Sequence, residues 1–128
     1  MGALSRKWVL VVDDDAGVRD FVADALKLHG FAVLACSNGM DALDLVRTVV
    51  PHLIILDLRM PRASGAVFLD YLRGESVTLR QVPVLVVSGH LDEVPADGTG
   101  LNVVGWIEKP VRLDTLVTRV RNVIGTER

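Results

Sequence analysis

The chain has one cysteine, Cys36, in 128 residues, so no internal disulfide can form. That cysteine and the scattered His29, His52 and His90 show no zinc-binding spacing, and a lone thiol fits a reducing cytoplasm. Neither sign of charge is in excess: 14 basic residues face 16 acidic ones, for a net charge of −2. That balance gives no electrostatic ground for binding nucleic acid or an anionic membrane. Long apolar runs are missing as well. None approaches the roughly 20 residues needed to cross a bilayer, so membrane insertion is not expected. The run after Arg6 and Lys7 is too short for a signal peptide and ends in aspartates. No repeat, linker or low-complexity segment interrupts the chain. Half of the residues are hydrophobic, enough for an ordinary core, and the length allows one compact domain. The expectation is a single domain over 1–128, with its core at about 7–124. After the last expected helix only Gly125-Thr126-Glu127-Arg128 remain, so no attached domain is expected.

What is present is a series of short apolar runs with polar ends. Val9-Leu10-Val11-Val12 runs into Asp13-Asp14-Asp15, and Leu53-Ile54-Ile55-Leu56 runs into Asp57. The Val82–Val87 run ends at Ser88-Gly89-His90, and Val103–Ile107 ends at Glu108-Lys109-Pro110. Runs this short, β-branched and unalternating are strands covered on both faces of a parallel sheet. A further short strand is expected over Phe31–Cys36. Between the runs lie helical stripes: Val18, Phe21, Val22, Ala25 and Leu26, then Ala42, Leu43 and Val46, then Phe68, Leu69 and Leu72. A closing stripe comprises Leu113, Leu116, Val117, Val120 and Ile124. Asp15 is the expected N-cap of the first helix and Gly30 its stop, while Ser37-Asn38-Gly39 caps the second. Strand and helix alternate five times, which predicts an α/β fold with helices on both faces of the sheet. Residues 91–102 are the exception. Pro95 in a helix interior would cost ~3 kcal/mol, and Gly98 and Gly100 ~1 kcal/mol each, relative to alanine. The fourth helix should be shortened or irregular there.

In a parallel sheet all carboxyl ends of strands lie on one edge, so Asp13, Asp14, Asp57, Ser88 and Lys109 should converge in one crevice. Gathered carboxylates repel unless a cation or basic side chain sits among them. The set makes chemical sense as a Mg2+-assisted phosphoryl-transfer site. Mg2+ takes hard oxygen ligands, commonly one or two carboxylates with phosphate and water. Asp57 can be the nucleophile, accepting a phosphoryl group as an acyl phosphate. Lys109 and the Ser88 hydroxyl would then serve the equatorial oxygens.

Over essentially its whole length the chain resembles the receiver domains of two-component response regulators. The resemblance rests on Val-Val-Asp13-Asp14, Ser-Asn-Gly-Met-Asp-Ala-Leu at 37–43, Leu-Asp57-Leu-Arg-Met-Pro61, Ser88-Gly89-His90 and Gly105-Trp106-Ile-Glu-Lys109-Pro110. It implies a flavodoxin-like, doubly wound five-stranded parallel sheet with strand order 2-1-3-4-5. It implies that Asp57 takes phosphate from a phosphohistidine on a histidine kinase or histidine phosphotransfer protein and so switches binding to a downstream protein. It further implies that Asp14, Asp57 and the backbone carbonyl of Arg59 hold Mg2+, with Asp13 acting mainly through water. Pro110 would follow a cis peptide bond that aims Lys109 inward. Two positions depart from the commonest family pattern: Ser88 stands where threonine is more frequent, and Trp106 occupies the switch position usually held by Tyr or Phe. Arg59 and His90 lie where the family tunes phosphate lifetime.

Such a domain is no enzyme in the ordinary sense, catalysing only its own phosphorylation and dephosphorylation. It is expected to be cytoplasmic, a monomer or weak dimer, without an output domain. Two other readings stay open. One is a receiver-like protein-binding module that never takes phosphate, although degenerate receivers usually lose an acid or the lysine. The other is an aspartyl-nucleophile phosphatase of the haloacid-dehalogenase type, suggested by the Asp-x-Asp spacing of Asp13 and Asp15. In that family the motif continues to Thr or Val where this chain has Gly17.

Overall fold

In the computed structural model, which describes residues 6–58, 65–89 and 102–125, five apolar runs form one sheet. The strands are β1 (Trp8–Val12), β2 (Ala32–Cys36), β3 (Leu53–Leu56), β4 (Val84–Ser88) and β5 (Val103–Glu108). All pairings are parallel, in the order β2-β1-β3-β4-β5. This is the flavodoxin-like order that the family resemblance implies. The helices are α1 (Ala16–Leu28), α2 (Gly39–Thr48), α3 (Gly65–Arg73), α4 (Val77–Gln81) and α5 (Leu113–Ile124).

The order of strands decides where the helices go. From β1 the chain steps one way to β2, then reverses across β1 to β3, β4 and β5. Right-handed crossovers taken in opposite directions put their helices on opposite faces. Side chains alternate along each strand, so the sheet feeds two cores. Leu10, Val12, Ile54, Leu56, Val84 and Val86 pack under α2, α3 and α4, meeting Ala42, Val46, Phe68, Leu72 and Leu79. Val9, Val11, Leu53, Ile55, Leu85 and Val87 pack under α1 and α5, meeting Val22, Leu26, Leu116 and Val120. Burying each such side chain contributes ~1.5–3 kcal/mol, so both faces hold the strands in register.

The caps are local and specific. Asp15 accepts from the Val18 amide and starts α1; Asn38 accepts from the Asp41 amide and starts α2. Gly30, at φ 93°, lets the chain leave α1 through the left-handed region that residues with a Cβ avoid. At the far end of the molecule the Lys7 ammonium donates to the Ile124 carbonyl, so the start of β1 grips the last turn of α5.

Some expectations are corrected. Phe21 and Leu113, placed on inward stripes by spacing, are 42% and 47% exposed. Each lies on the border of its helix's apolar arc: α1 buries Val22, Ala23, Ala25 and Leu26, and α5 buries Leu116, Val117 and Val120. The short α4 was not anticipated. It is capped by Ser76, which accepts from the Leu79 amide, and buries only Leu79. All but Asn102 of the stretch 91–102, where a shortened or irregular helix is expected, lies outside the described residues.

Candidate functional site

The sheet register brings the polar residues together. Val12 pairs with Leu56, so Asp13 and Asp57 each stand one step beyond a paired row. The Asp57 amide donates to the Val12 carbonyl at 2.9 Å, and the Asp13 amide to the Cys36 carbonyl at 3.1 Å. Ser88 pairs with Glu108, and the next amide, that of Lys109, donates back to the Ser88 carbonyl at 2.9 Å. The Lys109–Pro110 peptide bond is cis. Ser88, Asp13 and Asp57 are all buried.

Lys109 spans the two buried acids. Its ammonium lies 3.1 Å from Asp13 Oδ2 and 3.2 Å from Asp57 Oδ2. Burial of the ammonium pulls its pKa down, but hydrogen bonding and charge attraction from Asp13, then Asp57, outweigh this and leave it above the ordinary 10.5. One oxygen each from Asp13, Asp14 and Asp57 lies within 4.8 Å of the others, with Asp14 exposed to solvent. Opposite ligands of an octahedral Mg2+ sit about 4.2 Å apart. Oxygens up to 4.8 Å apart suit one small hard cation only where some carboxylates reach it through water.

Asp13 is held at three points. Its Oδ1 accepts from the Asp15 amide at 2.9 Å, its Oδ2 meets Lys109, and its carbonyl accepts from Arg19 Nη1 at 2.9 Å. Next to it, at the end of β2, burial pushes the Cys36 thiol up to about 11, so it stays protonated at neutral pH. Trp106 pairs with Val86 on the face covered by α3, and its indole is half exposed. The remaining candidates, Arg59 and His90, lie outside the described residues.

Two contributors escape the sequence reading. Gly65 opens α3 directly against β3: a Cβ there would stand 2.3 Å from the Asp57 carbonyl oxygen and 2.6 Å from Leu58 Cα. A glycine at the head of an otherwise good helix is the signal that could have found it. Arg19 reaches back six residues to the carbonyl of Asp13. Its spacing, one turn into the helix after the aspartates, was the available clue.

Comparison with known proteins places the site in context. Residues 9–121 match the family model described as the response regulator receiver domain. The probable transcriptional regulator ycf27 of Porphyra purpurea is 35% identical over 121 residues, covering 93% of this chain and 48% of that protein. The response regulator MprA of Mycobacterium tuberculosis is 33% identical over 118 residues, covering 91% of this chain and 50% of that protein. The chain thus spans about half the length of these curated relatives. Among solved structures, the chemotaxis response regulator CheY4 of Vibrio cholerae superposes with a TM-score of 0.83 at 25% identity, covering 93% of this chain and 99% of that one. NtrX from Brucella abortus superposes at 0.81 with 27% identity, covering 94% of this chain and 27% of its own.

Proposed function

Since the chain belongs to the response regulator receiver domain family, a signalling family of two-component systems, we propose that it is a Mg2+-dependent phosphoacceptor whose nucleophile is Asp57. The observation that carries this reading is the Lys109 ammonium shared between buried Asp13 and Asp57, beside three carboxylate oxygens that fit one cation.

As the family resemblance implies, Asp14, Asp57 and the Arg59 carbonyl would hold Mg2+, with Asp13 engaging it mainly through water. When bound, the ion supplies the charge that offsets repulsion between an anionic nucleophile and an anionic phosphoryl group. An Asp57 oxygen attacks phosphorus in line as the bond to the donor nitrogen breaks. The electron pair of that bond leaves with the imidazole, and an acyl phosphate forms. Lys109, released from Asp57, donates to an equatorial oxygen, and the Ser88 hydroxyl donates to another. The donor is a phosphohistidine on a histidine kinase or phosphotransfer protein. Phosphorylation changes the surface around Trp106 and with it the affinity for a downstream protein. The chain acts in the cytoplasm as a monomer or weak dimer, catalysing only its own phosphorylation and dephosphorylation. No helix among the described residues is long and apolar enough to cross a membrane.

Labelling from acetyl phosphate with Mg2+ tests the reading. Wild type should incorporate one phosphoryl group, and folded Asp57→Asn none. Label that persists in Asp57→Asn but disappears in Asp13→Asn would point to the phosphatase reading. A wild type that takes no label would leave a binding module.

A further inference from the structure

We propose that Arg19 is a positioning residue of this site, holding the aspartate loop so that Asp14 faces the metal although Arg19 carries the same sign of charge as the ion. The inference rests on the Mg2+ reading above.

Arg19 holds the loop at two points. Its backbone amide donates to the Asp15 carbonyl at 2.8 Å, closing the first turn of α1. Its guanidinium donates to the Asp13 carbonyl at 2.9 Å. Those carbonyls belong to the peptides that bracket residues 14 and 15. Asp14 itself is exposed, and no hydrogen bond to its carboxylate occurs among the described residues. What the backbone sets is the direction of the Asp14 Cα–Cβ bond, and Arg19 holds the Asp13–Asp14 peptide plane from which that bond departs. Asp13 needs no such help, since Lys109 and the Asp15 amide already orient its carboxylate.

Coulomb attraction and positioning make opposite forecasts. A cation removed from beside a Mg2+ site lowers repulsion and should tighten metal binding. A support removed from under a ligand should weaken it, and groups that orient metal ligands typically matter by about tenfold or more in affinity. The sign of the change therefore separates the two roles.

The test is Mg2+ titrated calorimetrically into wild type, Arg19→Met and Arg19→Lys, well below their melting temperatures. Methionine keeps the aliphatic stem and removes the donor and the charge. Its Kd should rise about tenfold, with Arg19→Lys in between. At saturating Mg2+ the rate of labelling from acetyl phosphate should return to that of wild type, because Arg19 touches neither nucleophile nor phosphoryl group. A Kd in Arg19→Met equal to or below that of wild type overturns the proposal, even if the melting temperature falls. Should Arg19→Met fail to fold, Arg19→Lys decides by the same comparison. A wild type that binds no Mg2+ is a different result, since it removes the metal reading itself.

Discussion

Lys109 bridges two acids. Its ammonium sits between two buried carboxylates that would otherwise repel each other, and its raised pKa records that attraction. With the folded value above 10.5, the folded state binds the proton more tightly than the unfolded chain does. The stability this gives is complete below about pH 10.5 and is lost as pH rises through the folded value. Lys109→Met should therefore be less stable than wild type at pH 7 without metal, and should lack this alkaline dependence. It should also bind Mg2+ more tightly, because the ion no longer competes with an ammonium. Melting curves in EDTA and in Mg2+ decide the point: the gain from Mg2+ should be larger in the variant, and an equal gain would contradict this account. Asp13, Asp57, Ser88 and Lys109 were legible as one edge because each ends an apolar run. Arg19 and Gly65 were not, since one acts through a carbonyl and the other through the absence of an atom. Only their positions mark them in sequence, a glycine at a helix head and an arginine one turn past the aspartates.

Among the elements, α3 begins directly against the candidate site. Its first residue presses against the backbone of Asp57 and Leu58. Helix propensity alone would favour alanine over glycine by up to about 1 kcal/mol. The 2.3 Å approach to the Asp57 carbonyl oxygen reverses that preference. Gly65→Ala should cost ~1–3 kcal/mol, the usual toll of overpacking, and should slow labelling of Asp57 by shifting its backbone. Urea midpoints and acetyl phosphate labelling measure both; an unchanged midpoint would mean the helix simply slides outward. Most elements could be read from the chain. Asp15, Gly30 and Asn38 mark helix ends through local hydrogen bonds and backbone geometry, which sequence spells out. Phe21 and Leu113 misled because spacing gives the direction of a stripe but not its width, which the neighbouring helix decides. The five residues of α4 are too few to show a period, and only the Ser76 cap announces it.

For the molecule as a whole, the proposed metal would be linked to the fold. A ligand that binds only the folded state adds RT ln(1 + [L]/Kd), ~1.4 kcal/mol at about tenfold excess over Kd. Mg2+ should therefore raise the melting temperature in proportion to the logarithm of its concentration, and Asp57→Asn should blunt the rise. No shift between EDTA and saturating Mg2+ would remove the metal from the account. The strand order follows from the alternation of elements only in part: alternation demands a parallel sheet, whereas the reversal at β1 came from family resemblance. Finally, Lys7 on the Ile124 carbonyl places the head of β1 against the tail of α5, a geometry that domain insertion and circular permutation favour. A host protein could carry residues 7–124 inside one of its own surface loops without parting the loop's two stems. Equally, a short bridge across that contact would let the chain be cut elsewhere and restrung, so that the sheet keeps its order while the reading order of the gene changes.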